Sequence, residues 1–315
     1  MFLITGGGGF LGRHLVSCLR DRGVNFVAPS SEQLDLLDLQ KCESFCKTLN
    51  ESEVTNIIHL AAWTQAGDFC LTHRGEQWIH NQLINTNMLY LWREYFPSAH
   101  FSFIGTSCAY GEGLGYEEDK YLEGEPEASL RTYALTKRML FEGCQALNHQ
   151  YGMSFSGFVP ATLYGQGYHH DSRQLHFIFD LARKIVEAKK FGTVVTLWGD
   201  GSQVRELIHV EDFIDVLLMG IEKRLIDNSI INATSGVGYS IREFATKLCA
   251  IVGLDEQKIS YDCDRYVGSQ SKVLNAERFR HIYGEYQFVP LDEGLRDIVT
   301  EYEQRATETT RCTSR

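Results

Sequence analysis

The chain has 315 residues, 43% of them hydrophobic, enough to bury one large core or a core beside a smaller lobe. Its net charge of −11, from 30 basic and 41 acidic residues, argues against nucleic acid or an anionic membrane as a partner, so an anionic ligand must be met by local positive charge. The nine cysteines form no C-x-x-C pair and read as free thiols in a reducing compartment.

In chain order, "MFLIT" reads as a buried strand that ends at glycines. It leaves no room for a signal peptide, and no apolar run is long enough to span a membrane, so a soluble, cytoplasmic protein is expected. In "ITGGGGFLGRHL" the glycines Gly6, Gly9 and Gly12 follow a strand and open a helix that continues through Leu15 and Leu19. Such a loop lets a pyrophosphate approach the backbone and offers it the free N–H groups of a helix start, so Gly6, Gly9, Phe10, Leu11 and Gly12 are expected at a dinucleotide. The second strand, "NFVA", runs into Pro29, Ser30 and Ser31. Neither an acid for a ribose 2′-hydroxyl nor an arginine for a 2′-phosphate stands there; Arg13 is nearby. The reading leans to NADP, with NAD as the alternative.

"NIIHL" is a third strand, with His59 structural near the cofactor edge and Leu60, Ala61 and Ala62 along the cofactor. Ile84, Met88, Leu91 and Tyr95 mark a long helix, "HFSFIG" a fourth strand, residues 132–150 another long helix, and "SFSGFVP" a fifth strand. The alternation predicts an α/β fold, a Rossmann-type doubly wound parallel sheet, over residues 1–165. Residues 166–305 are expected to form mainly a smaller C-terminal α/β substrate-binding lobe, with some segments returning to the core, and 306–315 a frayed polar tail.

"RTYALTKRML" places Tyr133 and Lys137 one helical turn apart. A lysine ammonium there is expected to lower the phenol's pKa, so that Tyr133 trades a proton with a substrate oxygen while Lys137 holds the nicotinamide ribose. Thr106, at the end of the fourth strand, offers a hydroxyl to the same oxygen. His169, His170 and Asp171 share a loop but lack a further ligand at useful spacing, so no metal is expected.

This arrangement resembles the extended, nucleotide-sugar-modifying branch of the short-chain dehydrogenase/reductase superfamily, in its NAD-dependent epimerase/dehydratase family, over nearly the whole chain. "GTSCAYG", "LYGQGYHHDSRQLHFIFDLARK" and "LWGDGSQVRELIHVEDF" are similar to segments of GDP-L-fucose synthases, which epimerise a GDP-linked 4-keto-6-deoxy sugar at C3 and C5 and then reduce C4 with NADPH. The resemblance implies Cys108 as the thiolate base, His176 as the imidazolium acid, and Tyr133 and Thr106 as donors to the enolate oxygen. It matches Arg205 to a diphosphate-binding arginine; Arg183, Lys184 and Lys272 are further candidates, and Trp198 lies near the nucleotide or in the core. The chain departs from that pattern with Gly7 and Gly8 for His-Arg, Thr106 for serine, and Thr162, Gln166 and Ser271 near cofactor and nucleotide. An NAD-retaining 3,5- or 4-epimerase, a 4-ketoreductase acting alone on a deoxyheptose or dideoxyhexose nucleotide, and a non-catalytic cofactor sensor are the other readings. Relatives pair through two long helices, so a homodimer through those around Ile84 and Leu140 is expected.

Overall fold

A computed structural model describes residues 1–66, 69–169, 171, 174–265 and 268–313, with side chains to 305. In the first half, strands β1 (Phe2–Thr5), β2 (Phe26–Val27), β3 (Asn56–His59), β4 (His100–Ile104) and β5 (Phe155–Pro160) alternate with helices α1 (Phe10–Asp21), α2 (Leu39–Cys46), α3 (Phe69–Thr72), α4 (Arg74–Tyr95) and α5 (Arg131–Tyr151). In the second half come β6 (Thr162–Tyr164), α6 (Phe177–Phe191), β7 (Val195–Trp198), β8 (Val204–His209), α7 (Val210–Glu222), β9 (Ser229–Ala233) and β10 (Gly238–Ser240). The chain closes with α8 (Ile241–Val252), β11 (Ile259–Asp262), β12 (Ser271–Lys272), α9 (Glu277–Tyr283) and α10 (Leu291–Thr313).

A six-stranded sheet in the order β2-β1-β3-β4-β5-β9 is parallel throughout, as the alternation predicts. Its strands are nearly continuous apolar runs because helices cover both faces; β1 is buried at every residue. β1 pairs with β2 on one side and β3 on the other, so the chain reverses direction across the sheet there and leaves a crevice at the strands' carboxyl ends.

The returning segments are α7 and β9. β9 lies beside β5 with Phe158 opposite Ile231, and α7 packs on α1 and β5. The second lobe is built on β8, which pairs with β6, β10 and β12, and on the parallel pair β7–β11. Its own core joins α6, α8 and α10 through Ile178, Phe179, Ile185, Phe244, Leu248 and Ile298. α10 keeps helical backbone to Thr313, into the stretch expected to fray. Every cysteine whose side chain is described is a free thiol, and among the described residues no helix is long and apolar enough to cross a membrane.

Candidate active site

The glycine loop closes on itself. Gly9 N–H donates to Gly6 O, and Gly6 sits at φ 73°, where a Cβ would stand 2.7 Å from the Ala61 nitrogen. A Cβ on Gly12 would fall 2.2 Å from Gly6 O, so the start of α1 lies directly against the turn. Phe10 and Leu11 open α1, and Leu60, Ala61 and Ala62 follow β3 across the crevice. The end of β2 touches the same loop: a Cβ on Gly7 would meet the Ala28 methyl at 3.1 Å. Ser30 closes a local turn there, its N–H donating to Gln33 Oε1 at 2.9 Å. Arg13 is not simply solvated: it donates to Gly8 O at 2.8 Å and Gly167 O at 2.7 Å. His59 is buried between Thr5 Oγ1 and Asn85 Oδ1, and burial pulls its imidazole down to about 3.

Tyr133 and Lys137 leave the first turns of α5 toward this crevice, with the ammonium 6.0 Å from the phenol ring centre. Lys137 is buried, and among the described residues no hydrogen bond or ion pair reaches its Nζ. Burial alone pulls it down to about 8. This orphaned cation, beside a cradle that any side chain would fill, fits a dinucleotide ribose and pyrophosphate. The expected lowering of the Tyr133 pKa is corrected: burial pushes the phenol up, with Cys108, Tyr121 and Cys70 adding to it, so the hydroxyl keeps its proton at neutral pH.

Thr106 caps the short turn Ser107–Ala109, its Oγ1 accepting from Cys108 N–H at 3.3 Å, while its own N–H donates to the Tyr121 hydroxyl at 3.2 Å. Cys108 is partly buried and stands within electrostatic reach of Tyr133, Tyr116, Arg205 and Lys272. Arg205 and Lys272 are paired in register across β8 and β12, a local patch of positive charge on an acidic protein. Lys272 Nζ lies 2.9 Å from Glu127 Oε2, with both side chains mostly buried.

His176 stands at the N-cap position of α6, its ring centre 6.0 Å from that of Tyr168, which itself packs on Phe10. No contact joins it to Cys108 among the described residues. Crowding by the surrounding protein and the neighbouring His169 hold its imidazole below the usual value, so it is neutral at neutral pH rather than the expected imidazolium. Arg183 and Lys184 are ion-paired on their own helix, to Asp180 and Glu187 for the first and to Asp180 for the second. Trp198 is 59% exposed, with the Arg265 guanidinium 5.5 Å over its ring, so it is no core residue. His170 lies outside the described residues, and no metal-binding cluster is present among those described.

Sequence reasoning missed three groups that shape the site. Glu127 pairs with Lys272. Tyr116 donates to Ser271 O at 3.1 Å and stacks edge-on against Tyr110. Arg138, one residue past the lysine, is buried and donates to the carbonyls of Ala109, Leu122, Glu123 and Gly124 at 2.6–3.1 Å. The one signal in the sequence was an arginine directly after Lys137 on the same helix.

The NAD dependent epimerase/dehydratase family matches residues 2–233. A GDP-L-colitose synthase of Yersinia pseudotuberculosis is 27% identical over 297 residues, 93% of this chain and 94% of that one. A GDP-L-fucose synthase of Escherichia coli is 28% identical over 311 residues, 93% of each chain. Among solved structures, a GDP-L-fucose synthetase from Naegleria fowleri has a TM-score of 0.85 at 20% identity, covering 97% of this chain and 94% of that one. A GDP-6-OMe-4-keto-L-xylo-heptose reductase from C. jejuni has a TM-score of 0.82 at 22% identity, covering 97% of each. At these identities the structural likeness shows a shared fold.

Proposed function

The chain belongs to the NAD dependent epimerase/dehydratase family, and from that premise we propose that it epimerises a GDP-linked 4-keto-6-deoxy sugar at C3 and C5 and reduces it at C4. The observation that carries this reading is the convergence of Thr106, Cys108 and Tyr133 with the Arg205–Lys272 pair at the carboxyl end of β4. Relatives named for GDP-L-fucose and GDP-L-colitose synthesis support the substrate class.

Arg205, beside the Glu127-paired Lys272, takes the diphosphate, whose charge the protein as a whole would repel. The C4 ketone then lies near Thr106 and Tyr133, which donate hydrogen bonds to its oxygen. That polarisation acidifies the protons on C3 and C5, and Cys108 as thiolate removes one to give an enolate held by the same two donors. Reprotonation from the opposite face inverts the carbon. His176 serves as that acid only after taking a proton that the ligand-free protein does not give it. In the reduction a bound NADPH or NADH supplies the hydride for C4. Tyr133, kept protonated by burial, delivers its proton to the C4 oxygen, and Lys137 holds the nicotinamide ribose. A homodimer through α4 and α5 belongs to the same proposal.

His176 stands beside Tyr168 with its imidazole held below the usual value, which favours a second reading, a C4 ketoreductase without epimerisation. One experiment separates the two. Purified protein is mixed with GDP-4-keto-6-deoxymannose and NADPH or NADH in deuterated water, and absorbance at 340 nm is followed. The first reading expects cofactor oxidation together with deuterium at C3 and C5, and loss of that deuterium in Cys108→Ser. Oxidation without deuterium selects the reductase; neither signal sinks both.

A further inference from the structure

Glu127 lies outside every motif singled out in the sequence, yet it is placed against the substrate-side cations. Its Oε2 is 2.9 Å from Lys272 Nζ, and its other oxygen accepts the Ser129 hydroxyl. Two structural links join this pair to Cys108. Arg138 gathers the carbonyls of Ala109, Leu122, Glu123 and Gly124, so the cysteine turn and the segment leading to Glu127 hang from one guanidinium. From the other side Tyr110, two residues past Cys108, stacks on Tyr116, whose hydroxyl reaches Ser271 O beside Lys272. We propose that Glu127 is a positioning residue that holds and neutralises Lys272, and thereby sets how much positive charge bears on the Cys108 thiol.

This deepens the reading of Cys108 given above. An ammonium in a mostly buried setting acts on a nearby thiol far more strongly than one in water. With its carboxylate partner in place, that action is largely cancelled. Burial opposes charge on both partners, yet each is stabilised as an ion: the Ser129 hydroxyl and Lys272 hold the Glu127 carboxyl down, and Cys108 and Glu127 hold the Lys272 ammonium up. Among the described residues, the groups within electrostatic reach of Cys108 are Tyr133 of α5, Tyr116 and Tyr121 of the intervening segment, Cys70 of α3, Arg205 of β8 and Lys272 of β12. Only Arg205 and Lys272 are cationic at neutral pH, and Glu127 lies against the second.

The test is the pH dependence of iodoacetamide alkylation at Cys108, read by mass spectrometry of its peptide in the full-length protein. In Glu127→Gln the midpoint should fall by about one pH unit, because Lys272 is left uncompensated. In Lys272→Met it should rise by a similar amount, and Glu127→Asp should stay near the parent. Opposite shifts in the two variants, at parent-like melting temperatures, support the proposal, since loosened structure would move both the same way. An unmoved midpoint in Glu127→Gln, or shifts of the same sign, overturns it. Opposite shifts with no solvent deuterium entering the sugar would keep Glu127's role and remove the epimerase reading.

Discussion

Lys137 is a charge taken out of water and given no hydrogen-bond or ion-pair partner among the described residues. Its folded pKa is depressed from 10.5 to about 8, so between those values the unfolded chain holds the proton more tightly than the folded one. The destabilisation is therefore full below pH 8 and fades as pH rises toward 10.5. Lys137→Met should raise the stability of the ligand-free protein by about 2 kcal/mol at pH 7, with the gain shrinking above pH 8, while abolishing turnover. Chemical denaturation at pH 7 and pH 10 checks it; equal gains at both would contradict the buried-ammonium account. Tyr133 and Lys137 were legible because a four-residue spacing on a helix behind a glycine loop has few other uses. Glu127 and Tyr116 were not. Their importance comes from β12, a two-residue strand far along the chain that only the folded structure brings beside them. The sign of the Tyr133 shift was likewise illegible, since it is set first by burial, and burial is a tertiary property.

At the scale of elements, the segment between Cys108 and α5 has little regular structure, and Arg138 substitutes for it. Four backbone carbonyls share one guanidinium, and removing it leaves all four without that donor in a mostly buried place. Arg138→Met should cost about 3 kcal/mol and speed hydrogen exchange across residues 109–124; a melting temperature within a degree of the parent would refute that weight. The parallel strands β1 to β5 were readable within a residue or two, because strands buried on both faces are plain apolar runs between amphipathic helices. β6, β10 and β12, each three residues or fewer, carry too little pattern to read and exist because β8 pairs with all three.

For the whole molecule, β9 and α7 make the two halves depend on each other. Without them β5 has an open edge, and Phe158, buried in the full chain, faces water. A fragment of residues 1–165 should show no cooperative unfolding by circular dichroism; a sharp transition would show that the first sheet does not need its sixth strand. Ile84 and Leu140, the residues around which pairing was expected, are buried inside the protomer. The outward faces of α4 and α5 instead present Ile79 at 56%, Leu83 at 42% and Met139 at 50% exposure. Ile79→Asp together with Leu83→Lys should convert the proposed dimer to a monomer in light scattering, whereas an unchanged mass would place the interface elsewhere. The staple between the glycine loop and the second half bears on timing. Arg13 and His14 bond Gly167 O and Gln166 O, so at this end the halves are tied by two hydrogen bonds, and Glu301 steadies the same segment by taking Gly167 N–H. Breathing of the cleft would then be smallest beside the glycine loop and larger toward Arg205 and Lys272. Sugar nucleotide would come and go while the dinucleotide stays seated, and product-inhibition kinetics would show the dinucleotide first on and last off.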